Sequence, residues 1–156
     1  MSRLTRDNFT GPWAGLPVAW TEDDQLDLDA YRQDVESCCL AGVPGVYTGG
    51  TTGEFYAMDW EEFCQVTQVT VETCRHHDIP SMIGCSSTYT QGAVRRAAFA
   101  AELGADAIQL GLPFWMELAA NEIVPFFSEV GQAAGELAVS VYETTRSKLA
   151  LTLDQH

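Results

Sequence analysis

The sequence predicts an α/β fold built on a parallel sheet. Five short apolar runs alternate with stretches of helical periodicity along the 156 residues, and this strict alternation is typical of parallel strands covered by helices. The chain is 46% hydrophobic, which is enough apolar content for the core of one domain. Periodicity alone is compatible with two architectures: an open doubly wound sheet, or part of a (β/α)8 barrel.

The predicted elements follow in order along the chain. Hydrophobic runs predict strands at 15–20, 45–48, 81–84, 107–111 and 137–142. Apolar residues at helical spacing predict helices at 28–40, 60–77, 90–103 and 121–134. Asn121 is the predicted cap of the fourth helix, and Thr152 is a candidate cap for one more helix from Leu153. Ser86 and Ser87 follow the third strand and are expected to cap the third helix, with a position facing the site as the alternative.

The loop after the second strand is the strongest candidate for a binding site. It has the sequence GGTTGE at 49–54 and leads into a helical stretch. Glycines let the backbone approach a ligand closely, and free N–H groups beside a helix N-terminus favour an anion. The loop therefore predicts a site for a small carboxylate or phosphate, with an ordinary tight βα connection as the alternative.

Charge and composition argue against several classes of partner. The net charge is −14 with only eight basic residues, so we expect no nucleic-acid partner and no anionic membrane partner. Neither GxGxxG nor GxxxxGK occurs, which removes the usual nucleotide-binding patterns. We predict no membrane span, since no run of 18 apolar residues occurs.

Cysteine usage points to a reducing compartment. The five cysteines are an odd number and form no CxxC pair, so we expect reduced, mostly buried thiols. No standard metal-ligand spacing is present, and we expect neither a metal nor another cofactor. The sequence thus predicts a cytoplasmic protein.

Several motifs together resemble one enzyme family. The run GTTGE at 50–54 with WEE at 60–62, LDLDAYRQDV at 26–35, ELGADA at 102–107 and a fifth strand closing on Tyr142 are similar to the dihydrodipicolinate synthase / N-acetylneuraminate lyase family. The likeness extends from about residue 15 to residue 156. It implies a (β/α)8 barrel with a helical C-terminal extension, assembled as a dimeric or tetrameric homo-oligomer. It also implies a lyase or aldolase in which a lysine forms a Schiff base with pyruvate or a related 2-keto acid.

The resemblance assigns roles to specific residues. By match to the family motif, Thr52 and Gly53 belong to the substrate-binding loop, and Thr52 would bind the keto-acid carboxylate. Thr51 would bind substrate and join a proton relay. Tyr142 would be the phenol that donates and accepts protons during imine formation and C–C bond making or breaking, a role that needs a group able to act as acid and base in turn.

Two departures from the family pattern bear on specificity. Phe114 and Trp115 stand where the family commonly has two tyrosines, and we expect them at the site mouth or at a subunit interface, with plain packing as the alternative. Arg146 lies one place earlier than the family's arginine and is a candidate contact to the substrate carboxylate. These differences favour a relative that acts on another aldehyde or sugar acid, whose identity the sequence leaves open.

The position of the single lysine is the third departure. Lys148 lies in the loop after Tyr142 rather than on a sixth strand, and a (β/α)8 barrel normally needs about 250 residues. We therefore expect residues 1–156 to be the N-terminal part of a barrel, with strands 6–8, the helical extension and the Schiff-base lysine absent. The alternative is a catalytically silent remnant that binds a small carboxylate or associates with a partner chain.

Overall fold

A computed structural model describes residues 4–152 and confirms the predicted parallel α/β fold. Its five strands pair in parallel in the order β1-β2-β3-β4-β5. The strands are β1 (Ala14–Gly15), β2 (Val46–Thr48), β3 (Ser81–Gly84), β4 (Ala107–Leu110) and β5 (Ala138–Val141). Because each strand is adjacent to the next one in sequence, the sheet winds in one direction, as in a barrel, and does not reverse its strand order.

Four helices connect or follow the strands: α1 (Leu28–Leu40), α2 (Trp60–His76), α3 (Thr90–Leu103) and α4 (Ala120–Ala134). Their bounds match the predicted ones to within one residue. Asn121 is not the cap of α4, because Ala119 precedes the first turn and its N–H donates to the Glu122 carboxylate at 3.0 Å. The candidate helix from Leu153 lies outside the described residues.

The first strand is shorter than predicted and ends earlier. The Leu16 N–H still donates to the Tyr47 carbonyl at 3.0 Å, but Pro17 follows and has no N–H to extend the ladder. Trp20, predicted as the strand's last residue, forms an isolated antiparallel bridge with Leu26 instead. The prediction of a strand over 15–20 was therefore wrong beyond its first residues.

The main core lies between the sheet and its covering helices. Strand residues that face the helices, including Val46, Ile83 and Ile108, are fully buried. On α3, the buried positions are the small residues Ala93, Ala97 and Ala100, which let α3 approach the strands and α4 closely. The opposite face of the sheet carries Tyr47 and Gln109, and polar groups on that face are available to a site.

All five cysteines are free thiols, and Cys39, Cys74 and Cys85 are buried. This agrees with the prediction of reduced, mostly buried cysteines. In the part of the chain that the structure describes, no helix is both long and apolar enough to cross a membrane.

Candidate active site at the carboxyl ends of the strands

A cleft of about 120 Å³ lies at the carboxyl ends of β2, β3, β4 and β5. Parallel strands present their carboxyl ends at one edge, and the loops that follow them meet there. The cleft is lined by residues from four of these connections: Tyr47, Gly49, Gly50, Thr51, Phe55, Tyr56, Ser86, Gln109, Gly111, Leu112, Phe114, Tyr142, Thr144, Arg146 and Ser147. The predicted binding loop therefore forms one wall of a concave site.

Four of the predicted site residues meet in this cleft. Thr51 comes from the loop after β2, Phe114 from the loop after β4, and Tyr142 and Arg146 from the segment after β5. They are separated by up to 95 positions in sequence (146 − 51). The motif match identified these residues separately, and the fold places them in one cleft.

Three other predicted residues are not among the described residues that line the cleft. Thr52 is exposed beside it. Gly53 is buried, and a Cβ there would lie 2.9 Å from the Leu16 carbonyl oxygen, so its place in the loop is set by packing. Trp115 is 74% exposed, and its carbonyl accepts a hydrogen bond from the Lys148 ammonium at 2.8 Å. Their roles in binding stay predictions.

Glycine geometry shapes the loop above β2. Gly49 has φ of +72°, and a Cβ there would come within 2.8 Å of the Gly84 carbonyl oxygen on β3. A Cβ at Gly50 would collide with the Tyr47 phenol. The GG pair therefore lets the chain turn tightly while its backbone lies directly against β3 and against the Tyr47 ring.

Tyr47 and Gln109 form a polar pair that sequence reasoning missed. The Tyr47 hydroxyl donates to Gln109 Oε1 at 2.5 Å, across 62 positions of sequence. Burial is the main cause that raises the pKa of Tyr47 to about 12, and the neighbouring Tyr142 phenol raises it further, while the bond to Gln109 lowers it. Tyr47 is thus a protonated donor at neutral pH. Only the strand register could have identified its partner.

Ser86 supports the cleft through its hydroxyl and its carbonyl. Its Oγ accepts from the Gly111 N–H at 2.9 Å, and its carbonyl accepts from the Arg96 guanidinium at 2.8 Å. The predicted capping role is wrong for both serines, because Tyr89 stands at the start of α3 with no side-chain cap bond. Burial lowers the pKa of Arg96. The loops after β3 and β4 are therefore tied together at the cleft.

Electrostatics make the cleft suitable for an anion. Among its described lining residues, Arg146 is the one charged side chain and no carboxylate occurs. This contrasts with a chain whose net charge is −14. Hydroxyl, phenol and carboxamide groups supply the remaining polarity, and these groups suit a small ligand that bears a carboxylate.

Aromatic rings form the outer part of the cleft. The Phe55 ring packs edge-on against Phe114 at 5.5 Å and against Tyr56 at 5.7 Å between centroids. The same three residues also border a second cleft of about 200 Å³, where the Arg95 guanidinium lies 3.6 Å from the Trp60 ring centroid. The candidate site thus combines a polar interior with an aromatic mouth.

A parallel α/β sheet with a polar site on the loops after its strands is the arrangement that proteins of the (β/α)-barrel class share. The model of the dihydrodipicolinate synthetase family matches residues 8–156. The chain belongs to this family.

Curated relatives agree with this assignment. The trans-o-hydroxybenzylidenepyruvate hydratase-aldolase of Pseudomonas putida is 30% identical over 148 residues, which is 90% of this chain and 44% of that protein. The 4-hydroxy-tetrahydrodipicolinate synthase of Natronomonas pharaonis is 30% identical over 112 residues, 72% of this chain and 37% of that protein. The relatives are aldolases and synthases by name. The chain spans less than half the length of these two relatives.

Solved structures show the same fold. PhdJ, solved with a bound substrate intermediate, is 28% identical with a TM-score of 0.81, over 93% of this chain and 47% of that one. A sialic acid aldolase of Ruminococcus gnavus has a TM-score of 0.90 at 18% identity, over 97% of this chain and 50% of that one. The first five strands of a TIM-barrel fold, with their intervening helices, account for the described architecture.

Proposed function

We propose that the chain provides the keto-acid-binding part of a pyruvate-dependent carbon–carbon lyase or aldolase that works through a Schiff base. The observation that carries this proposal is the cleft in which Thr51, Tyr142 and Arg146 meet without any lining carboxylate among the described residues. Another member of the family, YagE of E. coli K12, has been solved in complex with pyruvate, which supports a ligand of this class.

In this proposal each residue has a chemical task. Arg146 and the loop threonines Thr51 and Thr52 bind the substrate carboxylate, Gly53 completes the loop, and the Thr51 hydroxyl also relays protons. In the cleavage direction, a lysine amine and the keto carbonyl condense to an imine and release water. Tyr142 then takes the proton of the β-hydroxyl group as it passes its own phenolic proton on through the Thr51 hydroxyl. The C–C bond breaks, and its electron pair remains on the imine part as an enamine. An aldehyde leaves, and hydrolysis of the imine formed on reprotonation releases pyruvate.

The amine for this reaction is proposed to come from outside residues 1–156. Lys148 is the one lysine of the sequence, and its ammonium donates to the Trp115 carbonyl on the exposed surface. Val139 and Val141 of β5 are 43% and 41% exposed on the face that the other strands cover with helices. These exposed valines support the proposal that residues 1–156 are the first part of one barrel domain, which strands 6–8 and further helices would complete.

Borohydride trapping with pyruvate tests the Schiff-base proposal. Mass spectrometry should find no adduct on the 156-residue chain, whereas a longer product of the same gene with a lysine on a following strand should gain one. A reduced pyruvate adduct on Lys148 would overturn the proposal that the reactive amine lies outside residues 1–156. A longer product that binds pyruvate yet traps nothing would instead favour a catalytically silent carboxylate-binding protein.

An aromatic aldehyde is the co-substrate class that we propose for this site. Phe55, Tyr56 and Phe114 give the mouth three aromatic rings, and the names of two relatives carry a hydroxybenzylidene and a carboxybenzal group. The test is NMR line broadening of 2-hydroxybenzaldehyde by the chain. Phe114→Ala should weaken it several-fold, and Trp115→Ala, whose ring lies outside the lining, should not. Equal effects of the two substitutions would contradict the proposal.

We also propose a cytoplasmic homo-oligomer. Free thiols at all five cysteines support the reducing compartment. The exposed aromatic residues Tyr56, Tyr89 and Trp115 near the two clefts support burial against another subunit. Light scattering after size-exclusion chromatography should give a mass of two or four chains, and a monomer at all concentrations would contradict the assembly.

A further inference from the structure

The Tyr47–Gln109 pair lies on the face of the sheet that forms the inner part of the cleft. Tyr47 is on β2 and Gln109 is on β4, so their hydrogen bond crosses β3. The β3 residue in register with Gln109 is Gly84, which has no side chain to separate the two groups. On the other side, Gly50 leaves space for the Tyr47 phenol. The pair is therefore fixed between the glycine loop and the sheet.

This bond orients the Gln109 carboxamide. Tyr47 donates to Oε1, so the amide NH₂ group is left as the donor end of the side chain. Within residues 4–152, the bond to Tyr47 is the one hydrogen bond that this side chain makes. Gln109 is only 9% exposed, yet its amide nitrogen is not among the described buried atoms that lack a partner. Because Gln109 lines the cleft, its amide N–H groups can meet solvent or a ligand there. An acceptor in the cleft would satisfy them.

Strand register places Gln109 deeper than the predicted catalytic phenol. Gln109 pairs with Ser140, and Tyr142 comes two residues later, directly after β5, where its N–H still donates to the Leu110 carbonyl and the alternation of the strand puts it on the same side. Arg146 supplies the one charge in the described lining. Thr51, Gln109 and Arg146 line the same cleft of about 120 Å³, so a small anion bound there by Arg146 and Thr51 has the carboxamide of Gln109 within the same space.

We propose that Gln109 donates a hydrogen bond from its amide nitrogen to a carboxylate oxygen of the bound 2-keto acid, and that Tyr47 is the positioning residue that holds the amide in this orientation. The inference rests on the proposed function, because it concerns the same ligand. It adds two residues from the inner face of the sheet to the binding machinery, neither of which belongs to the GTTGE motif.

The hydrogen bond donated by Gln109 is tested by measuring the binding of pyruvate to the 156-residue chain with saturation-transfer NMR. Gln109→Met has a similar shape but no donor, and it should raise the dissociation constant about tenfold, the effect of losing one hydrogen bond to a charged group. Tyr47→Phe keeps the Gln109 amide but removes the hydrogen bond that orients it, and should raise the dissociation constant about threefold. Tyr31→Phe is the matched control, since it removes a buried hydroxyl that bonds Thr48 and Thr70 outside the cleft lining, and it should leave the constant unchanged.

Gln109→Glu separates hydrogen bonding from a merely structural role. At pH 7.5 the introduced carboxylate should repel pyruvate. On lowering the pH to about 4, just below the ordinary glutamic acid pKa of about 4.3, its protonated form should donate again and recover a large part of the binding. Wild-type binding should stay constant over the same range, because pyruvate remains ionised. Thermal unfolding checks that each variant is folded. If Gln109→Met is not folded, the pH series of Gln109→Glu tests the role of Gln109 by itself.

The outcomes distinguish the two proposals. Pyruvate binding that is unchanged in Gln109→Met, or a Gln109→Glu variant with no recovery at low pH, overturns the role of Gln109 and leaves the proposed function standing. A wild-type chain that binds no pyruvate overturns both.

Discussion

The indole N–H of Trp20 donates to the Glu54 carboxylate at 2.7 Å. Trp20 lies in the connection between β1 and α1, and Glu54 is the last residue of the GGTTGE loop, where it adopts a positive φ of 49°. The bond thus fastens the loop to a neighbouring connection across 34 positions of sequence. Glu54 of the binding motif therefore has a structural task, and it is not among the described residues that line the cleft.

Substitution of Glu54 tests this task. Glu54→Leu removes the acceptor and should lower the free energy of unfolding by about 1–3 kcal/mol, since the partly buried indole N–H loses its partner. Glu54→Gln keeps an acceptor oxygen and should stay closer to wild type. Urea unfolding measures both. Equal losses in the two variants would show that the side chain acts through something other than this bond.

Gly50→Ala should be destabilising because of Tyr47. The added Cβ would fall on the phenol ring and hydroxyl of Tyr47, and forced overpacking costs about 1–3 kcal/mol. The double variant Gly50→Ala/Tyr47→Val removes the ring and should recover part of that loss relative to Tyr47→Val alone. Additive free energies of unfolding in this double-mutant cycle would rule out the clash.

The helices were predictable because local signals delimit them. Asp27 accepts from the Ala30 N–H at the start of α1, and Gly42, with φ of +73°, follows its end. Both signals lie within a few residues of the helix, so they are visible in the sequence. The first strand was less predictable, because its length depends on pairing with β2 and on the missing N–H of Pro17.

Only those site residues that belong to a family motif could be predicted from the sequence. Thr51 and Tyr142 stand in patterns shared with a family, but their meeting in one cleft depends on the order of the strands. Tyr47 and Gln109 lie inside strands that read as apolar runs, and nothing local marks them as partners. Their contact follows from the register of three strands, which the sequence does not encode in any short window.

Ser86→Ala tests how the loops after β3 and β4 are held together. The substitution removes the acceptor of the Gly111 N–H, and we expect a loss of about 1–3 kcal/mol in unfolding free energy. Ser37→Ala is a matched control, because its hydroxyl donates to the Gln33 carbonyl on the exposed surface of α1, and it should change stability by less than about 0.5 kcal/mol. Similar losses in both variants would contradict the bracing role of Ser86.

Tyr31 should make stability sensitive to alkaline pH. Burial raises its pKa to about 12 despite hydrogen bonds with Thr48 and Thr70, which lower it. The unfolded chain would release this proton near pH 10, whereas the folded chain retains it until about pH 12. The contribution of this group is therefore fully present below pH 10 and is lost as the pH rises from 10 to 12, by about 2–3 kcal/mol in total.

Comparison with Tyr31→Phe isolates this contribution. At pH 7 the variant should be less stable than wild type by about 1–2 kcal/mol, because Thr48 and Thr70 lose a hydrogen-bond partner. Between pH 10 and 12 wild type should lose stability more steeply, so the difference between the two proteins should shrink and then reverse. The buried thiols also titrate in alkali, but they are common to both proteins and cancel in the difference. Urea unfolding at a series of pH values measures it, and a difference that stays constant from pH 7 to 12 would refute the assignment to Tyr31.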